Sequence, residues 1–262
     1  MSTLHPPTLA SETLLTISGF EIRNTLLMAW ITMLLLIAVA LIGRFRGYRL
    51  VPGRFQAFLE IVIEGLFSVF DSIVQDRAMT RKVFPMVATF FLFIILANWL
   101  GILPGVGSIT IQSMHEGHLV DVPLFRSMNA DVNVTLAFTL VSVIATQVIG
   151  LASVGILGYL GKYFIAPWKK PYVIGSIVGI LELFSEFARL VSFVFRLFGN
   201  IFAGEVLLVV ITFLVPYIVP VPFLGLEVFV GFIQALVFSL LTLAFIKMAT
   251  IAHSNQGESA HA

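Results

Sequence analysis

Residues 172–215 read YVIGSIVGILELFSEFARLVSFVFRLFGNIFAGEVLLVVITFLV. The run is apolar from end to end, yet it carries Glu182, Glu186, Arg189, Arg196 and Glu205. It is longer than the roughly 20 residues with which a helix crosses a bilayer, and too apolar for the surface of a soluble protein. Residues 223–251, FLGLEVFVGFIQALVFSLLTLAFIKMATI, repeat the pattern with Glu227 and Lys247. Pro216, Pro220 and Pro222 lie between the two runs and mark a helix break. The two runs are therefore expected to form two long helices folded into a hairpin.

Upstream, charge-free stretches at 24–43, 83–103 and 132–161 supply three more spans. The whole chain agrees: 262 residues, 59% hydrophobic and 11% charged, against about 45–50% and about 25% in soluble domains. These figures argue against a soluble enzyme, a disordered chain and a nucleic-acid-binding domain. The fold class expected is an all-α polytopic membrane protein of about five spanning helices in one membrane domain. The absence of cysteine removes disulfides, thiolate metal sites and cysteine nucleophiles, and no cofactor is expected. Residues 1–19 lack the basic n-region and cleavage-like sequence of a signal peptide and are expected to be a short surface segment. About the loop 113–128 the sequence says little.

Between the first two spans, residues 54–75 place Phe55, Phe58, Leu59, Val62, Leu66, Val69, Phe70 and Ile73 at helical spacing. This stretch is an amphipathic helix lying on the membrane surface, or alternatively a re-entrant or inserted one. Basic residues set the orientation. All but four of the 15 lie between spans one and two, between spans three and four, or near the C-terminal end. The positive-inside rule then puts the N-terminus outside and the C-terminus in the cytoplasm.

A charge at the bilayer centre costs about 2.5–3.5 kcal/mol on the insertion scale, which makes it a functional candidate by default. Arg196 stands among Val191–Phe195 and Leu197–Phe198 and cannot shed its proton. It is either part of an ion path or half of a structural ion pair; for Arg189, nearer a helix end, the same two readings stand. At about 100° per residue, Glu182, Ser185, Glu186, Arg189, Arg196, Asn200 and Gly204 share one face of the fourth span, and Glu205 lies nearly opposite Arg196. Glu227, Gly231, Gln234 and Thr242 share a face of the fifth. Asp131, Thr135, Thr139, Ser142, Thr146 and Ser153 do so on the third, where the hydroxyls serve helix packing or line a water path. Carboxylates at several depths, with a fixed cation among them, describe a proton or cation path with an arginine barrier.

The stretch 195–205, FRLFGNIFAGE, resembles the signature of subunit a of F-type ATP synthases. Three further pieces are similar to that family in the same order. They are Phe84-Pro85 with 98–105 (NWLGILPG), then 130–135 (ADVNVT), then Gln234-Ala235 with Phe238, Leu241 and Thr242. The resemblance implies a membrane stator beside a rotating c-ring, with subunit b and the rest of the synthase as partners. It also implies that the last two helices are strongly tilted and that two half-channels carry the proton. It gives Arg196 the role of the arginine that meets the ring carboxylate, and Gln234 that of its partner. Asn200, Glu205 and Glu227 would belong to the outer half-channel, with Asp131 near its mouth, and Glu182, Ser185 and Glu186 to the cytoplasmic exit. Some members carry a histidine at one of the positions matched by Glu205 and Glu227; here both are glutamates, which could share one proton. No nucleotide-binding G-x-x-x-x-G-K-[ST] loop is present, so the chain is expected to be a non-catalytic subunit of a bacterial plasma membrane complex. A stand-alone transporter would favour an internal repeat, and none is visible. A purely structural assembly subunit would not need Arg196.

Overall fold

The computed structural model describes residues 11–17, 19–47, 49–103, 105–106, 109–115, 118–155 and 174–251. Six helices account for most of it: α1 (Asn24–Arg46), α2 (Arg54–Val74), α3 (Arg77–Ile102), α4 (Val132–Val154), α5 (Ile174–Leu214) and α6 (Pro220–Ile251). All but α2 are long and apolar enough to cross a membrane. The end of the expected 132–161 span and the start of the 172–215 run lie outside the described residues.

Cross-contacts fix the packing direction. Thr25 at the start of α1 meets Asp131 at the start of α4. Asn98 near the end of α3 meets Gly231 of α6, and Met79 near the start of α3 meets Thr250 of α6. Arg189 of α5 lies over Phe245 of α6. The five long helices therefore alternate up and down. One end of the bundle collects Asn24, Asn98, Asn129 and Asp131, and the other collects the described basic residues other than Arg23, Arg126, Arg189 and Arg196.

The burial pattern is that of a protein whose solvent is lipid. In α1 the buried residues are Asn24, Thr25, Met28 and Thr32, whereas Leu34, Ile37 and Leu41 face out. In α4 the buried stripe is Thr135, Thr139, Ser142 and Thr146, and Leu140, Val141, Ile144 and Val148 face out. A water-soluble bundle would invert both patterns. In a bilayer, hydroxyls are better satisfied between helices, and Ser142 bonds Thr242 at 2.8 Å. The apolar core lies where α3, α5 and α6 meet. Phe238 packs edge-on to Phe90 at 5.8 Å and against Phe193 at 5.1 Å, with Ile94, Leu197 and Leu243 fully enclosed.

Helix ends differ from the limits of the charge-free runs. α3 starts at Arg77 because Asp76 caps it, accepting from the N–H groups of Ala78 and Met79. Arg81 and Lys82 are thus helical, and Pro85 sits inside the helix. Charge-free runs mark what lipid tolerates, whereas caps mark where backbone bonding begins. Pro220 and Pro222 fall in the first turn of α6, where a missing N–H costs nothing. The break is therefore the short stretch 215–219, with Tyr217 at φ 82°.

Two antiparallel hairpins were not legible as such. β1 (Thr13–Ile17) pairs with β2 (Phe20–Arg23), so the expected surface segment is partly a strand. β3 (Thr110–His115) pairs with β4 (His118–Pro123) within the loop before α4. Helix α2 packs Leu66, Phe70 and Val74 inward, and Phe67 and Phe70 meet Phe84 of α3. Lys247 near the end of α6 donates to the Ile73 carbonyl at 2.9 Å, satisfying an end-of-helix acceptor and complementing the negative end of the α2 dipole.

Candidate functional site

α5 carries two arginines in opposite circumstances. Arg189 has its guanidinium 3.8 Å from the centre of the Phe245 ring, a cation–π contact worth about 0.5–2 kcal/mol. Arg196 is partly exposed and donates to Ser192 Oγ at 3.3 Å. Among the described residues it makes no ion pair. It stands beside Phe195, which together with Phe184 and Phe187 is more than half exposed. A permanent cation thus sits on an apolar outer surface with no counter-charge among the described residues.

One turn further on, Asn200 donates to Gln234 Oε1 of α6 at 2.8 Å. Gln234 is buried, and its Nε2 has no bonding partner. Glu205 lies on another side of α5 and is held by Arg126. Nε contacts Oε1 at 3.0 Å and Nη2 contacts Oε2 at 3.0 Å, a forked pair whose arginine side chain is 4% exposed. Such geometry suits guanidinium and carboxylate better than any lysine pair. Arg126 was missed in the sequence: a lone arginine in a loop gives no sign of which helix it will reach.

Glu227 is buried on α6 with Oε2 unpartnered. It fits there because residue 204 is glycine: a Cβ at that position would stand 2.7 Å from Glu227 Oε1. Glu205 and Glu227 are near enough to repel electrostatically. Gly231 similarly admits Asn98, whose Cβ would be 3.0 Å from an added methyl group. Asn98 Nδ2 donates to the Gly231 carbonyl at 3.1 Å, and Asn129 Nδ2 donates to Asn98 Oδ1 at 2.6 Å. Buried polar atoms without a hydrogen-bond partner include Ser127 Oγ, Asn129 Oδ1, Thr139 Oγ1, Glu227 Oε2, Gln234 Nε2 and Ser239 Oγ. Buried polar groups are normally hydrogen-bonded, so these atoms suit hydration better than a dry core.

Asp131 stands apart from the two glutamates. It caps α4, accepting from Asn133 N–H at 2.8 Å, and accepts from Thr25 Oγ1 at 3.0 Å. Burial raises its pKa, but hydrogen bonds from Ser11, Asn133 and Thr25 outweigh this, so its carboxyl lies below the ordinary 3.8. A group with a depressed folded-state pKa stabilises above its unfolded value, and that contribution is lost as pH falls through the folded value. Asp131→Ala is expected to cost about 2 kcal/mol and to remove this component of acid sensitivity. Thermal denaturation of both forms between neutral pH and pH 3 tests this, and equal midpoints throughout would contradict it. Glu182, Ser185 and Glu186 lie on the basic end's half of α5, with Ser185 exposed and the glutamates partly so. At 1.5 Å per residue, Glu182 is about 20 Å along the helix from Arg196. The structure joins Asn200 to Gln234 and brings Glu205 near Glu227, whereas Asp131 and the Glu182–Glu186 group stay separate.

Within the described residues no cluster of candidate metal ligands occurs. The family model described as ATP synthase A chain matches residues 26–247. Among similar proteins, "ATP synthase subunit a" of Gloeobacter violaceus is 36% identical over 232 residues, 88% of this chain and 85% of its own. That of Syntrophobacter fumaroxidans is 34% identical, covering 86% and 83% respectively. That of Desulfotalea psychrophila is 37% identical over 83% of this chain and 82% of its own. The inverted burial, the five long apolar helices and these matches agree: the chain belongs to the ATP synthase A chain family, a family of ATP synthase membrane subunits.

Proposed function

We propose that this chain is the proton-translocating stator subunit of a rotary F-type ATP synthase, a non-catalytic component that works against a c-ring with subunit b as neighbour. The observation that carries this reading is Arg196. A guanidinium exposed on an apolar face without an ion pair among the described residues calls for a carboxylate from outside the chain, and a ring helix would bring one. In this reading α5 and α6 lie tilted against the ring. The proton enters at the end of the bundle holding Asn98 and Asn129, passes Glu227 and the Asn200–Gln234 pair, and reaches the ring carboxylate. After rotation it leaves past Ser185, Glu182 and Glu186. Arg196 stabilises the ionised ring carboxylate and blocks a direct leak, because it cannot itself relay a proton.

The bacterial relatives support a bacterial plasma membrane location, and the distribution of basic residues supports an N-terminus outside and a cytoplasmic basic end; α2 then lies at the cytoplasmic interface. The two glutamates take different parts. Glu205 is paired with Arg126, whereas Glu227 Oε2 has no hydrogen-bond partner, which leaves Glu227 as the member of the pair open to the path.

The chain has no cysteine, so single cysteines are unique labels. A cysteine at exposed Phe195 or Ser192 is expected to cross-link to a cysteine beside the ring carboxylate in the assembled complex, whereas one at buried Leu197 is not. Failure of both exposed positions, with the complex intact, would put the ring elsewhere.

A further inference from the structure

We propose that the cleft between α1 and α2 is a binding site for an anionic glycerophospholipid, a role separate from the proton path. A cavity of about 990 Å³ opens there, bounded by the last turns of α1, the turn into α2, the first turns of α2, and Leu92 of α3. Its deeper walls are apolar: Leu36, Val39, Leu59 and Ile63. Its rim carries Arg46, Arg49 and Arg54, all exposed or partly so. None of the three makes an ion pair among the described residues. Two acidic residues also border the cavity. Glu60 accepts from Gln56 Nε2 at 2.8 Å, and Glu64 also lines a second hollow, beside Arg77.

The shape matches a phospholipid in charge and depth. Guanidinium groups bind phosphate oxygens in forked geometry, and three of them ring the mouth at the end of a spanning helix, the depth of a headgroup. Below them an apolar trough would take acyl chain. The turn is held for this purpose: the Gln56 side chain accepts from the Arg49 N–H at 3.2 Å and donates to the Arg49 carbonyl at 3.1 Å. Beside it, Leu50 and Val51 are fully open, at 105% and 83% exposure, and would enter the acyl layer next to the bound lipid. A transmembrane helix of a partner subunit would fill the trough but would leave the three cations without counter-charge. Charge complementarity therefore favours the lipid.

The test uses the intact complex in mild detergent with a photoactivatable phosphatidylglycerol and a matched phosphatidylcholine probe. Phosphatidylglycerol is expected to label residues within 36–63. Unlabelled phosphatidylglycerol should compete, and phosphatidylcholine or inorganic phosphate should not. The combined Arg46→Gln, Arg49→Gln and Arg54→Gln change is expected to cut labelling at least about tenfold. Ala40→Trp, which fills the trough and keeps the charges, should cut it similarly. Equal labelling by both probes, or labelling unchanged in the triple variant, would overturn the proposal. So would a photoreactive residue at position 40 that cross-links to protein in place of lipid. Competition in the unaltered complex decides the matter even if the variants do not assemble. Because the readout is lipid capture, it is independent of whether Arg196 serves proton transfer.

Discussion

Arg196→Ala is expected to leave the complex assembled and to reduce ATP-driven acidification of inverted vesicles to the level of an uncoupled control. The structural argument for intact assembly is direct. The arginine's described bond within the chain is one hydrogen bond to Ser192 at 3.3 Å, and surface changes away from caps and cores are usually within about 0.5 kcal/mol. The functional loss follows from electrostatics: without the cation, an ionised carboxylate in the membrane loses its stabilising partner and faces the full cost of the low dielectric. Arg196→Lys keeps the charge but not the delocalised fork, so it should retain at most a small part of the activity. Undiminished pumping by assembled Arg196→Ala would remove the ion-path role and leave an assembly role.

The second large effect belongs to a residue outside the long helices. Arg126→Gln is expected to destabilise the protein by about 1–3 kcal/mol, because it leaves the partly buried Glu205 carboxylate without its counter-charge. Glu205→Gln alone should be costly for the mirror reason, since Arg126 is the more deeply buried partner. The combined Arg126→Gln and Glu205→Gln change should recover a large share, because two neutral amides can bond each other where two charges stood. The coupling is read as the departure from additivity in thermal inactivation of the purified complex. Additive losses would mean that the 3.0 Å contacts contribute little, and the division of labour between Glu205 and Glu227 would lose its basis.

The class of fold was open to reading because lipid imposes a simple rule on sequence. Five runs long enough and apolar enough to span can be seen without any tertiary knowledge, and the described residues contain five such helices. The polar stripe of α4 was visible too, since Thr135, Thr139, Ser142 and Thr146 recur at helical spacing. Its partner was not: the Ser142–Thr242 bond joins residues 100 apart. Contacts of that range escape local pattern for the same reason as the Arg126–Glu205 pair, the Lys247 bond to α2, and the glycines at 204 and 231. In each, one residue's meaning depends on which element packs against it. The two residues between β3 and β4 in sequence, Glu116 and Gly117, are not the Asn-Gly or Asp-Gly pair that signals a hairpin, and neither six-residue strand alternates strictly.

The closeness of Gly204 to Glu227 has an evolutionary consequence. The two positions share one volume, as an added methyl group on the first would stand 2.7 Å from the acid of the second. A side chain at 204 would require the end of the Glu227 side chain to move aside or to be shortened, and a new group at 204 could itself carry the acid. In the proposed path, the acid at this depth is thus tied to a pair of backbones rather than to one residue, and could pass from one helix to the other.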